Sequence, residues 1–259
     1  MFTLLLVDTP EVDPSELKTA IRWRIKDLID FHVDDAIVDV FDIPGQEERG
    51  RQKLMYVVAA RRAAVQAHIN QLEDERINLS VIDIPELAMR NIAGLLPEDE
   101  AGVAMLYLTN ESGLLTITRQ KNLYLSRRLD IGLNQLSAFV AEDAEVRHEE
   151  EDDVFTIDEE VSFARPLVRA FDNIVLEVQR SLDYYESHFA LPPVSTLVLA
   201  PMEDHIPGML EYLVQHLGVP VQMLDLNSAL RCDQVLSEEM QSLCLLPIGA
   251  ALRERSKAL

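Results

Sequence analysis

Apolar and polar positions alternate from the first residues onward. Thr3 to Asp8, TLLLVD, is a short apolar run of strand character, followed by the polar turn TPEVDP. Asp13, Pro14 and Glu16 then stand where a helix wants an N-cap acceptor, a residue with φ already set, and a carboxylate that returns to the cap. At about 100° per residue, Leu17, Ala20, Ile21, Ile25, Leu28 and Ile29 fall within one arc, which predicts a helix from Asp13 to near Asp30 or Phe31. Trp23, the only tryptophan, falls nearly opposite that arc, among Thr19, Asp27 and Asp30. Ala36 to Ile43 alternates as AIVDVFDI, so Asp39 and Asp42 wet one face of a strand. The polar loop Gly45 to Gln52 leads to a second strand, Lys53 to Ala60. A helix over Arg61 to Arg76 is predicted from Ala64, Val65, His68, Ile69 and Leu72, and Asn78 to Ile84 reads as a further strand. The order βαββαβ describes an α+β unit of about 85 residues.

Pro85 opens a helix, PELAMRNIAGLL, that ends near Gly94. Val103 to Thr109, Gly113 to Arg119 and Asn122 to Leu129 form a predicted meander with tight polar turns at NES and QK. Ile131 to Ala141 reads as a helix. Glu142 to Asp153, with eight acidic residues in twelve, reads as an exposed, mobile loop. Asp158 to Phe189 is a long helical pattern through Leu167, Phe171, Ile174, Val175, Val178, Leu182 and Tyr185, its acidic start suited to the helix dipole. Then come a strand (Ser195 to Ala200), a helix (Ile206 to Leu217), a strand (Val219 to Leu224), a short helix (Ser237 to Gln241) and a last helix from Leu243 to Arg255, with Pro247 marking an early turn. This second part reads as an α/β domain covered on both faces.

Composition narrows the function classes. The chain has 259 residues, 48% of them hydrophobic, enough for one large domain or two lobes. Its formal charge of −22 repels phosphate backbones and anionic lipid head groups, which argues against direct nucleic-acid binding. No stretch reaches the 18 or so apolar residues that spanning requires, so a soluble, cytoplasmic protein is expected. Cys232 and Cys244, without CxxC spacing, read as two reduced thiols.

Candidate chemistry is sparse. His32, His68, His148, His188, His205 and His216 are scattered, and His68 sits on a helix's apolar stripe as a half-buried ring. Glu203, Asp204 and His205 are consecutive, and three such residues cannot all face one metal ion. No serine lies in a G-x-S-x-G elbow. Arg127 and Arg128 beside Asp130 read as a surface salt-bridge group. The residues therefore nominate no catalytic, cofactor-binding or metal-binding position.

Three long runs carry a family resemblance: Ile21 to Pro44, IRWRIKDLIDFHVDDAIVDVFDIP; Val81 to Pro97, VIDIPELAMRNIAGLLP; and Leu114 to Gly132, LLTITRQKNLYLSRRLDIG. They resemble the MshI proteins, biogenesis factors of the mannose-sensitive haemagglutinin (MSHA) pilus, a type IV pilus. Those are similar to PilM proteins, cytoplasmic members of the actin-like ATPase superfamily that dock on the tail of an inner-membrane partner. The resemblance implies an α/β, actin-like fold in which residues 1–84 hold a small α+β inserted subdomain. Residues 85–97 would be a linking helix of the first lobe, 98–242 the second lobe, and 243–259 a C-terminal helix. The family's opening strand and glycine-bearing turn have no counterpart ahead of Thr3, so an incomplete first lobe is expected.

The resemblance also states what an active site would need. Actin-like enzymes hold phosphates on backbone amides of two hairpin turns, where glycine permits close approach. The second turn here would be Thr109 to Gly113, TNESG. Leu108 and Thr109 stand where an acidic residue holds metal-bound water, and Glu111 would repel phosphate. The adenosine-side glycine pair is replaced by Leu199 to Asp204, LAPMED. A scaffold without ATPase activity and without a cofactor is expected from this, with an actin-like ATP-binding protein whose nucleotide state regulates pilus assembly as the alternative. In the resembled proteins the partner's tail lies in a groove between the inserted subdomain and the first lobe. The residues placed there by the resemblance are Arg22, Trp23, Arg24 and Arg90, an aromatic among arginines as at interface anchors. The expected partner is the cytoplasmic tail of an inner-membrane pilus-platform protein, with no nucleic acid and no direct membrane insertion.

Overall fold

A computed structural model describes residues 2–46, 52–150 and 165–254. The chain divides into two units, one formed by residues up to Ile82 and the other by Asp83–Glu254.

In the first unit, β1 (Phe2–Asp8), β2 (Ala36–Asp42) and β3 (Leu54–Arg61) form a sheet of order β1-β3-β2, antiparallel throughout. The register sets Val7 opposite Met55 and Val40 opposite Val57, so period-two alternation puts Val7, Val38, Val40, Met55, Val57 and Ala59 on one face. Helix α1 (Leu17–Ile25) covers that face with Ile21 and Ile25, both fully buried. α1 is shorter than its apolar arc predicts. The Glu16 amide donates to the Asp13 backbone carbonyl at 2.8 Å, so residues 13–16 form a turn, and no side chain caps the helix. At the other end Ile29, Phe31 and Val33 pack against the same core. Those positions have a spacing of two, which only an unwound chain can satisfy, and Leu28 is left 55% exposed.

Helix α2 (Arg62–Asp74) follows β3 directly and buries none of its residues, and His68 is exposed rather than half-buried. The expected strand over Asn78 to Ile84 does not form. Among the described residues this segment pairs with no strand, and Ile77, Val81 and Ile82 are each about half exposed. Strand propensity expresses itself only against a neighbouring strand, so the unit is βαββα. Of the predicted loop Gly45 to Gln52, residues 47–51 lie outside the described residues.

The second unit is built on five strands: β4 (Val103–Leu108), β5 (Gly113–Arg119), β6 (Asn122–Leu129), β7 (Thr196–Leu199) and β8 (Val221–Met223). Their order is β6-β5-β4-β7-β8, an antiparallel meander continued by two parallel strands. One face carries Val103, Met105, Leu114 and Val198 and is covered by α3 (Pro85–Ala93) and α8 (Glu238–Ala251). The opposite face presents Leu115 and Ile117, where an ion pair of 3.2 Å from Arg127 of β6 to Glu177 joins α5 (Arg165–Phe189). Helices α6 (Met209–His216) and α7 (Leu226–Ala229) lie in the crossover and after β8.

Three expectations change here. Helix α4 (Leu133–Glu150) continues through the acidic stretch as far as Glu150, because glutamate and alanine are good helix formers and charge alone does not end a helix. Residues 151–153, and the predicted start of α5 over 158–164, lie outside the described residues. The two closing helices are one. Ser237 caps it through the Met240 amide, and Pro247 sits inside it, where it frees only the carbonyl of Leu243, an exposed residue.

One buried acid stands at the head of α3. Glu86 is 1% exposed, its Oε1 lies 3.9 Å from Arg128, and its Oε2 has no hydrogen-bond partner among the described residues. Loss of hydration pushes its pKa up from the usual 4.5, against the opposing pull of its own backbone amide and Arg128. A folded pKa above the unfolded one means that the folded state binds more proton, so this group's contribution to stability is complete below about pH 4.5 and is lost as pH rises through the folded pKa. Glu86→Gln, which mimics the protonated acid, is expected to raise the thermal midpoint at pH 8, with the gap over wild type closing as the pH approaches the ordinary carboxylate range. A gap that widens on acidification would refute this.

Candidate functional site

The resemblance nominates α1, and the fold shows what its side chains do. With Ile21 and Ile25 turned into the sheet, Trp23 points outward and is 70% exposed. The Lys26 ammonium stands over its ring, 5.6 Å from the centroid. Arg22 is held inward instead. Its guanidinium donates to the Val33 and Ala36 carbonyls at 3.0 and 3.2 Å and ties the helix to the start of β2. Arg24 lies 3.7 Å from Asp8 at the end of β1, both partly exposed. The outward ring is thus held by a helix that is itself clamped.

Arg90 belongs to the second unit. On α3 it donates through Nε and a terminal nitrogen to Asn91 Oδ1 at 3.2 and 2.8 Å, and Asn91 in turn donates to the Gly249 carbonyl of α8. Burial pulls its guanidinium pKa down, with the charge of Asp83 opposing. Arg22, Trp23 and Arg24 are therefore neighbours on one helix, and Arg90 serves the α3–α8 contact.

The turn expected to face phosphate is closed on itself. The Thr109 amide donates to the Ser112 carbonyl at 2.8 Å, and the Ser112 amide donates to Thr109 Oγ1 at 3.1 Å. The first amides of α4 are used as well: Leu133 donates to the Thr109 carbonyl at 2.9 Å and Asn134 to that of Asn110 at 3.1 Å. Gly132 is pressed against this turn so closely that an added Cβ would stand 2.6 Å from both the Asn110 oxygen and the Ser112 nitrogen. Amides committed in this way are not available as an anion nest, and Glu111 is exposed beside them. After β7, Ala200 and Pro201 are buried, and the Ala200 amide donates to the Leu106 carbonyl at 2.9 Å. At both places these amides are taken up by the protein's own carbonyls and the Thr109 hydroxyl.

A feature missed in the sequence is a groove of about 700 Å³ between the end of β6, the start of α4 and α5, whose lining includes Arg128, Asp130, Phe139, Arg169, Leu176 and Arg180. Arg180 reaches Glu177 at 2.9 Å, and Arg128 reaches Glu86. The signal was present on α5, where Arg169, Asn173, Leu176 and Arg180 recur at helical spacing. Among the described residues no cluster of three metal-ligating side chains occurs, and no helix is long and apolar enough to cross a membrane.

A family model described as type IV pilus assembly protein PilM matches residues 6–255. Among solved structures the chain is similar to one titled a PilM–PilN type IV pilus biogenesis complex, at 21% identity and a TM-score of 0.69, over 97% of this chain and 76% of that one. It is more distantly similar to the cytoplasmic domain of EpsL, an inner-membrane component of the Vibrio cholerae type II secretion system, at 14% identity and a TM-score of 0.44 over 98% and 71% of the two chains. Ethanolamine utilization protein EutJ of Carboxydothermus hydrogenoformans stands at 17% and 0.44, over 95% and 76%. No curated protein matches the sequence. The fold is mixed α/β and actin-like, as the resemblance implied.

Proposed function

The chain belongs to the family of type IV pilus assembly proteins PilM, and from that premise we propose that it is a cytoplasmic scaffold of a pilus assembly platform that turns over no ATP. It binds the cytoplasmic tail of a PilN-type inner-membrane partner, and the platform is that of the MSHA pilus, as the runs Ile21 to Pro44, Val81 to Pro97 and Leu114 to Gly132 suggest. The partner holds it at the inner face of the inner membrane. The observation that supports binding most is Trp23, a large aromatic left 70% exposed on a helix whose other face is sealed. Such residues carry a disproportionate share of binding energy at interfaces. Arg22 and Arg24 stand beside Trp23 on α1. A pull-down by the immobilised N-terminal peptide of the partner tests it: the wild-type chain is retained, and failure to retain it would end the proposal.

The alternative is an actin-like ATP-binding protein, favoured by the fold itself. What supports the scaffold instead is the committed amides of Thr109, Ser112, Leu133 and Asn134, which leave the phosphates fewer donors. Calorimetry with Mg·ATP is expected to show no binding at micromolar concentration. Micromolar binding would replace the scaffold with the nucleotide-controlled reading.

A further inference from the structure

From Met240 onward the solvent side of α8 is apolar. Met240, Leu243, Cys244, Pro247 and Ala250 follow one another around that side at helical spacing, and Met240 and Leu243 are 45% and 59% exposed. From Met240 to Leu252 the chain carries no charge. Gln241 points the other way: it is 7% exposed, and its Oε1 accepts from the Leu226 amide at 2.7 Å. A surface helix ordinarily buries its apolar stripe and wets a polar one, and here Leu245, Leu246, Ile248 and Leu252 pack into the core while the opposite side is apolar as well.

The geometry points to a docking surface: we propose that the outer face of α8 receives an apolar segment, flanked by lysine or arginine, from another polypeptide. The helical residues from Met240 to Ala251 present a stripe of about 18 Å. Charge selects the occupant. The stripe begins at the exposed Glu238 and Glu239, on a chain whose net charge is −22. A second copy would bring another such charge against the first, whereas a cationic segment is steered in. Met240 and Cys244, whose sulfurs lie 3.5 Å apart, give the face a soft, adaptable centre. This contact lies on a different element from Trp23 and stands whether or not α1 binds a tail.

The test uses the full chain and a fluorescein-labelled helical peptide of leucine and lysine, about four turns long, followed by anisotropy at roughly 0.15 M salt. Saturable binding is expected. The variant Met240→Gln with Leu243→Gln, which changes no charge, should bind at least about tenfold more weakly, while Val214→Gln, at an exposed position of α6, binds as wild type does. Leu243→Ser alone serves if the double variant has a lowered thermal midpoint. Equal affinity of the charge-neutral variant would reduce the effect to general attraction and overturn the proposal. So would equal binding of a leucine–glutamate peptide. Light scattering that shows a dimer abolished by the double variant would give the face to a second copy and overturn it as well.

Discussion

Gly249→Ala is expected to lower the thermal midpoint of the chain by about 2–8 °C, a loss that comes entirely from one helix crossing. In isolation the change should help, since alanine exceeds glycine by roughly 1 kcal/mol within a helix. The position forbids it. An added Cβ would stand 2.7 Å from the carbonyl carbon and 3.0 Å from the Cα of Ala88 on α3, with the Ala88 oxygen nearer still. These are backbone atoms that cannot rotate away, so α3 and α8 must separate. Separation also stretches the 2.8 Å bond from Asn91 to the Gly249 carbonyl and loosens Met89, Ile92 and Leu245 in the core beneath. Overpacking costs about 1–3 kcal/mol and occasionally more, and against backbone this close the upper part of that range applies, which outweighs the gain in propensity. Ala250→Gly, one residue on and exposed, removes propensity without touching α3, and should cost only about 1 kcal/mol. Calorimetry of the two variants compares them directly. A Gly249→Ala protein as stable as wild type would mean that α3 and α8 do not meet in this way.

The elements that could be read from sequence were those whose signal is local. The meander β4–β5–β6 followed from β-formers broken by NES and QK, and α5 from a long apolar period. The features that the sequence hid depend on distant partners. Asn78 to Ile84 has the composition of a strand, yet no described strand pairs with it. Leu28 fits the arc of α1, yet the chain unwinds because Ile29, Phe31 and Val33 pack at a spacing of two. Pro247 looked like a boundary, yet the α3–α8 contact continues on both sides of it.

The candidate site divides in the same way. Trp23 was legible because a single helical period separates the core face from the opposite one. The role of Arg22 was not, since its acceptors, Val33 and Ala36, lie eleven and fourteen residues away in a segment whose path no period foretells. The apolar side of α8 escaped for a related reason. When nearly every residue of a helix is apolar its two sides look alike in sequence, and only the burial of Gln241 tells which of them faces water.

Trp23→Ala should weaken retention by the partner's tail peptide by about thirtyfold, the equivalent of roughly 2 kcal/mol for an interface anchor. It should leave the fold untouched. The indole is 70% exposed and contributes nothing to the core around Ile21 and Ile25, and the Lys26 ammonium over its ring is a solvated contact of about 1 kcal/mol at most. Folding and binding therefore separate at this residue, which they do not at its neighbours. Arg22→Ala removes two bonds to the Val33 and Ala36 carbonyls and should lower stability as well as any binding, so a loss of retention there would say little. Arg24→Ala gives up an exposed pair with Asp8 and should change stability by less than about 1 kcal/mol. Trp23→Phe keeps an aromatic face and should recover part of the lost affinity. Retention measured with thermal midpoints for all four variants decides the matter: undiminished binding by a folded Trp23→Ala protein would move the tail's site off α1, whereas a loss confined to Trp23, with partial recovery in phenylalanine, would require the ring itself to be in the contact.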